Sequence, residues 1–294
     1  MVQQFETLRE LYEARRLEEA WQEYQRMLEA GPAEAEAHLL GALTARFLKA
    51  PDFREARRAL ERAEAAGPAG LILGRVRLSM GTLLREMGDT TAAIEYLESF
   101  IAGIADYPSL QPVCDGVAHY NLGLAYRCAR RYDDALQAYE TASNEFRRND
   151  FPEYLRQALQ NLAWLHCLMA NVQAAEAALV EAEDLCKTDL ARWHQRIGWA
   201  YLEAISGERT SALNRCEAII KAEAVAPAAV VSHAFWVAGQ VALTLGQVEQ
   251  AGMMADQAVS WSLRVKDDIR PMQDANSLRR EIYQTRVHKN QTGA

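Results

Sequence analysis

The chain has few of the residues that interrupt or crosslink a fold: its 294 residues include 8 prolines and 5 cysteines. Scarce proline in a chain that is 50% hydrophobic favours a folded, helix-rich protein over a disordered one. The cysteines form no CxxC pair and their number is odd, which argues against a disulfide framework. We therefore expect reduced thiols and a cytoplasmic location.

The motifs of common catalytic sites are also missing. The sequence contains no GxxxxGK[ST], GxGxxG, HExxH or GxSxG pattern. Its six histidines are scattered and do not combine with cysteines at zinc spacing. The sequence therefore predicts a protein that is not an enzyme and that holds neither a metal nor a cofactor.

Charge and hydrophobicity exclude two classes of partner. The formal net charge is -8, which gives no general attraction for nucleic acid. The start, MVQQFETLRE, is polar and lacks the apolar core of a signal peptide. Residues 224–248 carry no charge, but they include Pro227 and several polar side chains, so we expect a helix buried in protein rather than in lipid. Nucleic acid and membrane are thus not expected as partners.

One pattern of small and large apolar residues recurs along the chain. It is clearest at Leu122, Gly123, Tyr126, Ala135, Tyr139 and Ala142. Its equivalents on either side are Met80, Gly81, Leu84, Ala93, Leu97 and Phe100, and Leu162, Ala163, His166, Ala175, Leu179 and Ala182. It returns near the end of the chain at Ala238, Gly239, Ala242, Ala251, Ala255 and Ala258.

This spacing resembles the tetratricopeptide repeat, a helical hairpin of about 34 residues. The resemblance covers nearly the whole chain and implies an all-α solenoid, a right-handed superhelix of about seven hairpins in one domain, 1–294. The units are expected to start near residues 1, 37, 74, 116, 156, 191 and 232, and a capping helix is expected at about 272–288. The sixth unit needs an insertion of about two residues before Ala212, Cys216 and Ile219.

The physics of stacked hairpins explains the pattern. A small residue at position 8 of the first helix, helix A, should let the alanine at position 20 of helix B approach closely. One hairpin cannot bury its apolar stripe alone, so successive units stack. Gly88 and Asp89 predict a turn followed by a helix cap, and Asp133 is a second candidate cap.

Function is expected on the surface that the A helices share. From the geometry of the family that the chain resembles, positions 2, 5, 6, 9, 12 and 13 of helix A face a concave groove, and several of them here carry carboxamides, aromatic rings and arginines. The candidate peptide-binding or partner-binding residues are Arg85, Tyr120, Asn121, Arg127, Asn161, Trp164, Arg192, Arg196, Trp199 and Trp236.

The two asparagines are the most specific of these candidates. A carboxamide can bind the N–H and C=O of one peptide group together. Asn121 and Asn161 share a repeat position that is similar to the peptide-clamping asparagine of kinesin light chains and of Rap-type receptors. Structural roles remain open beside this one: the asparagines can bond to a neighbouring helix, the tryptophans can pack between repeats, and the arginines can pair with acids such as Glu86 and Glu203.

The interpretation that follows is a non-catalytic adaptor whose groove binds a protein or peptide partner. One alternative is a receptor for a short bacterial-type signalling peptide that regulates a partner protein. A second alternative is a structural scaffold that assembles as a homo-oligomer. Fold alone does not decide between them.

Overall fold

Five of the prolines that the structure describes lie between helices or at a helix start. Pro32, Pro51 and Pro68 lie between helices, Pro152 starts a helix, and Pro227 precedes one. The computed structural model describes residues 2–106, 113–265 and 268–292. Within these ranges every regular element is helical, as expected from the sequence. The chain is an all-α solenoid of helical pairs.

Seven α-helices lie in the first part of the chain. They are α1 (Val2–Glu13), α2 (Leu17–Ala30), α3 (Ala35–Phe47), α4 (Phe53–Ala65), α5 (Gly70–Glu86), α6 (Thr90–Ala102) and α7 (Val113–Cys128). A 3-10 turn, Ile104–Asp106, follows α6. The expected start of the first repeat, residue 1, lies outside the described residues.

Eight α-helices complete the described chain. They are α8 (Tyr132–Arg148), α9 (Pro152–Leu168), α10 (Val172–Glu183), α11 (Asp189–Ile205), α12 (Arg209–Lys221), α13 (Ala228–Thr244), α14 (Val248–Ser262) and α15 (Arg270–Thr292). The segment expected to cap the array falls within α15.

Contacts between helices divide the chain into two compact units, Met1–Ala129 and Arg130–Ala294. In the first unit, α1 packs on α2, α3 on α4 and α5 on α6, and α7 packs on α6. In the second unit, α9 packs on α10, α11 on α12 and α13 on α14, while α15 packs on both α13 and α14. The two helices of the expected fourth hairpin, α7 and α8, belong to different units.

Glycines in the A helices allow close packing: the expected alanine at position 20 is among the nearest neighbours of Gly239, where the carbonyl oxygen of Ala251 lies 3.6 Å from an added Cβ, but not of Gly81. A Cβ added to Gly81 would lie 2.7 Å from Cγ of Leu97, and the three atoms nearest to that Cβ all belong to Leu97. The side chain that covers Gly81 is therefore the leucine at repeat position 24, not Ala93 at position 20. Gly198 is also covered by a leucine, Leu179, 2.8 Å from an added Cβ, but this leucine belongs to α10 of the preceding hairpin.

Of the two helix caps predicted from the sequence, the structure has one. Asp89 caps α6, where its Oδ1 accepts a hydrogen bond from the backbone N–H of Ala92 at 3.4 Å, and Gly88 before it has a φ of 84°. The expectation for Asp133 is wrong, because α8 begins at Tyr132 and its N-cap is Arg131. A carboxylate in the first turn still interacts favourably with the helix dipole.

The uncharged stretch 224–248 contains α13, whose residues are largely buried in the second unit, as expected. Val230, Ala234 and Val237 have no exposed surface. Among the described helices, none combines the length and the apolar character that crossing a membrane requires.

The burial pattern of the sixth repeat fits a start near residue 193 rather than 191. Ala200, Ala212, Cys216 and Ile219 are all buried, and from residue 193 they occupy positions 8, 20, 24 and 27 of the repeat. With this start the repeat needs no insertion. The positions counted from residue 191 are therefore two residues out of register along α11, which changes the face assigned to each of its side chains.

Candidate functional site

In the first unit, Asn121 is engaged by its own chain. It is 5% exposed, its Nδ2 donates to the carbonyl oxygen of Val117 at 2.9 Å, and its Oδ1 accepts from Nε of Arg85 at 3.1 Å. Arg85 also pairs with Glu86 at 3.2 Å, and Glu86 accepts from Nε of Arg46 at 2.7 Å. The structure thus brings Arg85 and Asn121 together in a ladder that joins α3, α5 and α7.

The other two candidates of the first unit lie on α7. Arg127 is buried, with 6% of its surface exposed, and Tyr120 is partly buried. Both side chains make contacts of their own. Of the four candidates in this unit, none presents a largely exposed side chain.

In the second unit, Asn161 repeats the arrangement of Asn121. Its Nδ2 donates to the carbonyl oxygen of Gln157 at 2.9 Å, and its Oδ1 accepts a hydrogen bond from Nη1 of Arg270. Asp268 holds Arg270 in place, because its carboxylate accepts from Nε at 2.8 Å and from Nη2 at 2.6 Å. The first residue of α15 therefore reaches back to α9.

Trp164 and Trp236 meet in a buried group that we call the central cluster, formed by Trp164, Tyr201, His233 and Trp236. The ring centroids of Trp164 and Trp236 are 5.7 Å apart, and Tyr201 lies 4.8 Å from Trp164 and 4.9 Å from Trp236. His233 lies 4.5 Å from Trp164 and 3.3 Å from a carboxylate oxygen of Asp274. The two tryptophans are 6% and 3% exposed, so packing accounts for most of their surface.

Next to this cluster, burial lowers the pKa of His194 to about 4. The neighbouring His233, Arg270 and Arg156 also lower this pKa electrostatically, and the negative charge of Asp268 opposes them. His194 is therefore neutral at physiological pH.

Arg192, Arg196 and Trp199 lie elsewhere, in an open cleft of about 720 Å³ between α10, α11 and α12. We call it the α11 cleft; its lining residues are Val180, Glu183, Asp184, Arg192, Gln195, Arg196, Trp199, Glu203 and Arg215. Both α11 arginines are exposed. Nε1 of Trp199 donates to Glu183 at 3.1 Å, which fixes the ring against α10.

The candidates of the second unit thus lie on two sides of α11, with Arg192, Arg196 and Trp199 on one side and Trp164 and Trp236 on the other. Residues seven apart share a helix face, while residues two apart are rotated by about 200°. Arg192 and Trp199 therefore share the face of the α11 cleft, and His194 and Tyr201 share the face of the central cluster. Counting the sixth repeat from residue 191 instead of 193 assigned Arg192 and Trp199 to the face that His194 and Tyr201 occupy in the structure. The sequence therefore did not predict that the candidates lie in two places.

Sequence reasoning missed several residues of both sites. Tyr201 would have been assigned to the central cluster if the register had been taken from Ala212 and Cys216 instead of from Gly198. Arg270 and Arg215 carry no such signal, because their partners, Asn161 and Glu203, are set by tertiary packing. Among the described side chains, no group of His, Cys, Asp and Glu is arranged to hold a metal ion.

Comparisons with known proteins agree with the repeat pattern. A family model for the tetratricopeptide repeat matches residues 116–188. A crystal structure of a tetratricopeptide repeat protein from Parabacteroides merdae is 18% identical with a TM-score of 0.57, over 87% of this chain and 88% of that chain. No curated protein matches the sequence.

Two Rap proteins have similar folds. A Rap protein complexed with Competence and Sporulation Factor is 14% identical with a TM-score of 0.61, over 89% of this chain and 74% of that chain. The apo form of RapI is 15% identical with a TM-score of 0.66, over 90% of this chain and 76% of that chain. At these identities the likeness is one of fold. The tetratricopeptide repeat is thus matched in residues 116–188, and the solved structures share the fold over most of the chain.

Proposed function

We propose that the chain is a non-catalytic adaptor that binds an extended segment of a protein partner, and that the α11 cleft is the binding site. The observation that carries this proposal is the stripe of two exposed arginines, Arg192 and Arg196, and the partly buried Trp199, which line an open cleft of about 720 Å³. All three residues are candidates from the sequence. Binding sites of this size commonly combine an apolar surface with a few directed polar groups.

The chemistry of the cleft suits a peptide segment. Trp199 is held by Glu183 and offers a rigid ring, so an apolar side chain can pack on it with little loss of conformational entropy. Val180, which also lines the α11 cleft, is 57% exposed and adds apolar surface. The arginines supply donors for carboxylate or carbonyl oxygens.

A second candidate function, a receptor for a short signalling peptide, gains support from the fold. The Rap protein that resembles this chain over most of its length is in complex with Competence and Sporulation Factor. Small rotations between stacked repeats would let a bound peptide change the shape of such a chain. A change in radius of gyration on peptide binding would favour the receptor over a passive adaptor.

The proposed location is the cytoplasm, where reduced thiols persist. All five cysteines, Cys114, Cys128, Cys167, Cys186 and Cys216, are free thiols in the structure.

Capture from a host-type lysate tests the proposed function. The wild type and a Trp199→Ala/Arg196→Gln variant are immobilised side by side, and the retained proteins are identified by mass spectrometry. The matched control is Trp261→Ala/Arg264→Gln, since Arg264 lies over the ring of Trp261 with 3.9 Å between its guanidinium carbon and the ring centroid. We expect a partner that the wild type and the control retain and that the α11 cleft variant loses.

A set of retained proteins that is the same for all three would contradict binding at the α11 cleft. An Asn121→Ala/Asn161→Ala variant in the same experiment tests the asparagines as peptide clamps. Loss of the partner from this variant alone would place binding at the asparagines instead.

A further inference from the structure

A second, smaller cleft lies directly beside the α11 cleft. Its volume is about 370 Å³, and its lining residues are Trp193, Arg196, Ser211, Asn214, Arg215, Ala218 and Ile219. We call it the α12 cleft. Arg196 and Arg215 line both clefts, so these two side chains form the wall between them.

The two clefts differ in charge. Glu183, Asp184 and Glu203 line the α11 cleft, whereas the described residues that line the α12 cleft include two arginines and no carboxylate. Ser211 and Asn214 add hydrogen-bonding groups to the α12 cleft. In the α11 cleft these three carboxylates offset Arg192, Arg196 and Arg215, so a negative charge is favoured more in the α12 cleft than in the α11 cleft.

The two arginines of this wall differ in their ion pairs with the carboxylates of the described residues. Arg215 makes a two-pronged pair with Glu203, with Nη2 at 2.6 Å and Nε at 3.1 Å from its oxygens. Arg192 pairs with Asp189 at 2.8 Å. Among the described residues no carboxylate forms an ion pair with Arg196, whose guanidinium carbon lies 4.8 Å from the ring centroid of Trp193.

Stacking on Trp193 leaves the edge of the Arg196 guanidinium available. The planar group can use its face for the ring and its N–H edge for a carboxylate. Such a pair is two-pronged and stronger than a neutral hydrogen bond.

We propose that the two clefts together bind a partner segment in which a single acidic residue is flanked by apolar residues. The acid lies in the α12 cleft on Arg196, and a neighbouring apolar side chain lies in the α11 cleft on Trp199. A run of acids gains less, because Glu183, Asp184 and Glu203 offset the three arginines that line the α11 cleft. This inference rests on the proposed function, since it names the ligand of the same site.

Selection from a displayed library of random peptides tests the ligand class. The full-length wild type is the target, and the selected peptides are synthesised with a fluorescent label. Their affinities are measured by anisotropy for the wild type, Arg196→Gln, Trp199→Ala and the control Arg264→Gln. Circular dichroism of each variant confirms that its helix content is unchanged.

We expect selected peptides with one Asp or Glu next to apolar residues. Arg196→Gln should weaken their binding roughly tenfold, and so should changing the peptide acid to its amide. The two changes combined should cost little more than either one, because both remove the same pair. Arg264→Gln should leave the affinity unchanged, although it also removes an arginine from a tryptophan ring.

The other outcomes separate the inference from the proposed function. Peptides that lose binding in Trp199→Ala but bind Arg196→Gln normally would overturn the assigned ligand class and leave the α11 cleft as a binding site. Peptides without an enriched acid, or with a run of acids, would also overturn it. Peptides that bind both variants normally, or a selection that yields none, would count against the proposed site and the inference together.

Discussion

Arg270, the first residue of α15, donates a hydrogen bond to Oδ1 of Asn161 in α9, 109 residues earlier in the chain. Arg85 does the same for Asn121 in the first unit, at 3.1 Å. In both cases the amide group of the asparagine donates to the carbonyl oxygen four residues before it. A peptide that used either carboxamide as a clamp would therefore have to displace an arginine.

A double-mutant cycle measures the bond between Arg270 and Asn161. Both side chains are partly buried, and a hydrogen bond to a charged group contributes about 1.5–3 kcal/mol. We expect Asn161→Ala and Arg270→Ala to destabilise the protein with a coupling energy of about 1–2 kcal/mol, measured by urea unfolding of the four proteins. The cycle cancels the loss of the Asp268 pair, which occurs in both proteins that carry Arg270→Ala.

Additivity of the two substitutions would show that the bond contributes nothing to stability. The same cycle with Asn121→Ala and Arg85→Ala provides a comparison in the first unit. There Arg85 keeps Glu86 as a second partner, 3.2 Å away.

The fold could be predicted from the sequence because the repeat is a local pattern of small and large residues. Ala163, Ala175 and Ala182 occupy their expected positions and are fully buried. The candidate site could be predicted only in part. A shift of two residues rotates a helix by about 200°, so an uncertain start for the sixth repeat placed Arg192 and Trp199 on the wrong face of α11.

Packing between repeats determines which candidate side chains are buried, and the repeat pattern does not predict this. The burial of Trp164 and Trp236 depends on Tyr201 and His233, which come from different helices and approach only in the folded unit. Repeat position predicts the helix face of a side chain but not the side chain that covers it.

Two helical glycines in the last hairpin should respond in opposite ways to alanine. A Cβ on Gly239 would lie 2.6 Å from Cδ2 of Leu278 and 3.2 Å from Cβ of Met254, so both neighbours must move. We expect Gly239→Ala to destabilise the protein by about 1–3 kcal/mol. A Cβ on Gly252 would meet only the end of the Arg286 side chain, at 3.1 Å, which can rotate away.

Gly252→Ala is therefore the matched control, and its expected effect is a gain of about 0.5–1 kcal/mol from helix propensity. Thermal and urea unfolding of both variants check the pair. Equal effects would contradict the close packing of α13 against α15.

Two cysteines should be protected from thiol reagents. Burial raises the pKa of both Cys167 and Cys216 to about 12, so almost no thiolate is present at pH 8. We expect both to remain unlabelled by iodoacetamide in the native protein and to react fully in urea. Mass spectrometry of the peptides identifies each site, and the partly buried Cys128 serves as the comparison.

Stability should depend on pH through His194. Its pKa in the folded protein is about 4, below the value of about 6.5 expected in the unfolded chain. Between these two values the unfolded state binds more protons, so the free energy of unfolding rises with pH in this window and is lost as the pH falls through it. From pH 7.5 to pH 5 the loss should be about 2 kcal/mol.

Replacing His194 by glutamine isolates this contribution. His38 and His166, whose pKa values burial also lowers, keep their effect in the variant. The wild type should therefore lose about 2 kcal/mol more than His194→Gln over the same range, measured by urea unfolding at pH 7.5, 6.5, 5.5 and 5. Parallel curves would mean that His194 is hydrated in the folded protein, and the positive charges of Arg270 and Arg156 would then be too well screened to affect it.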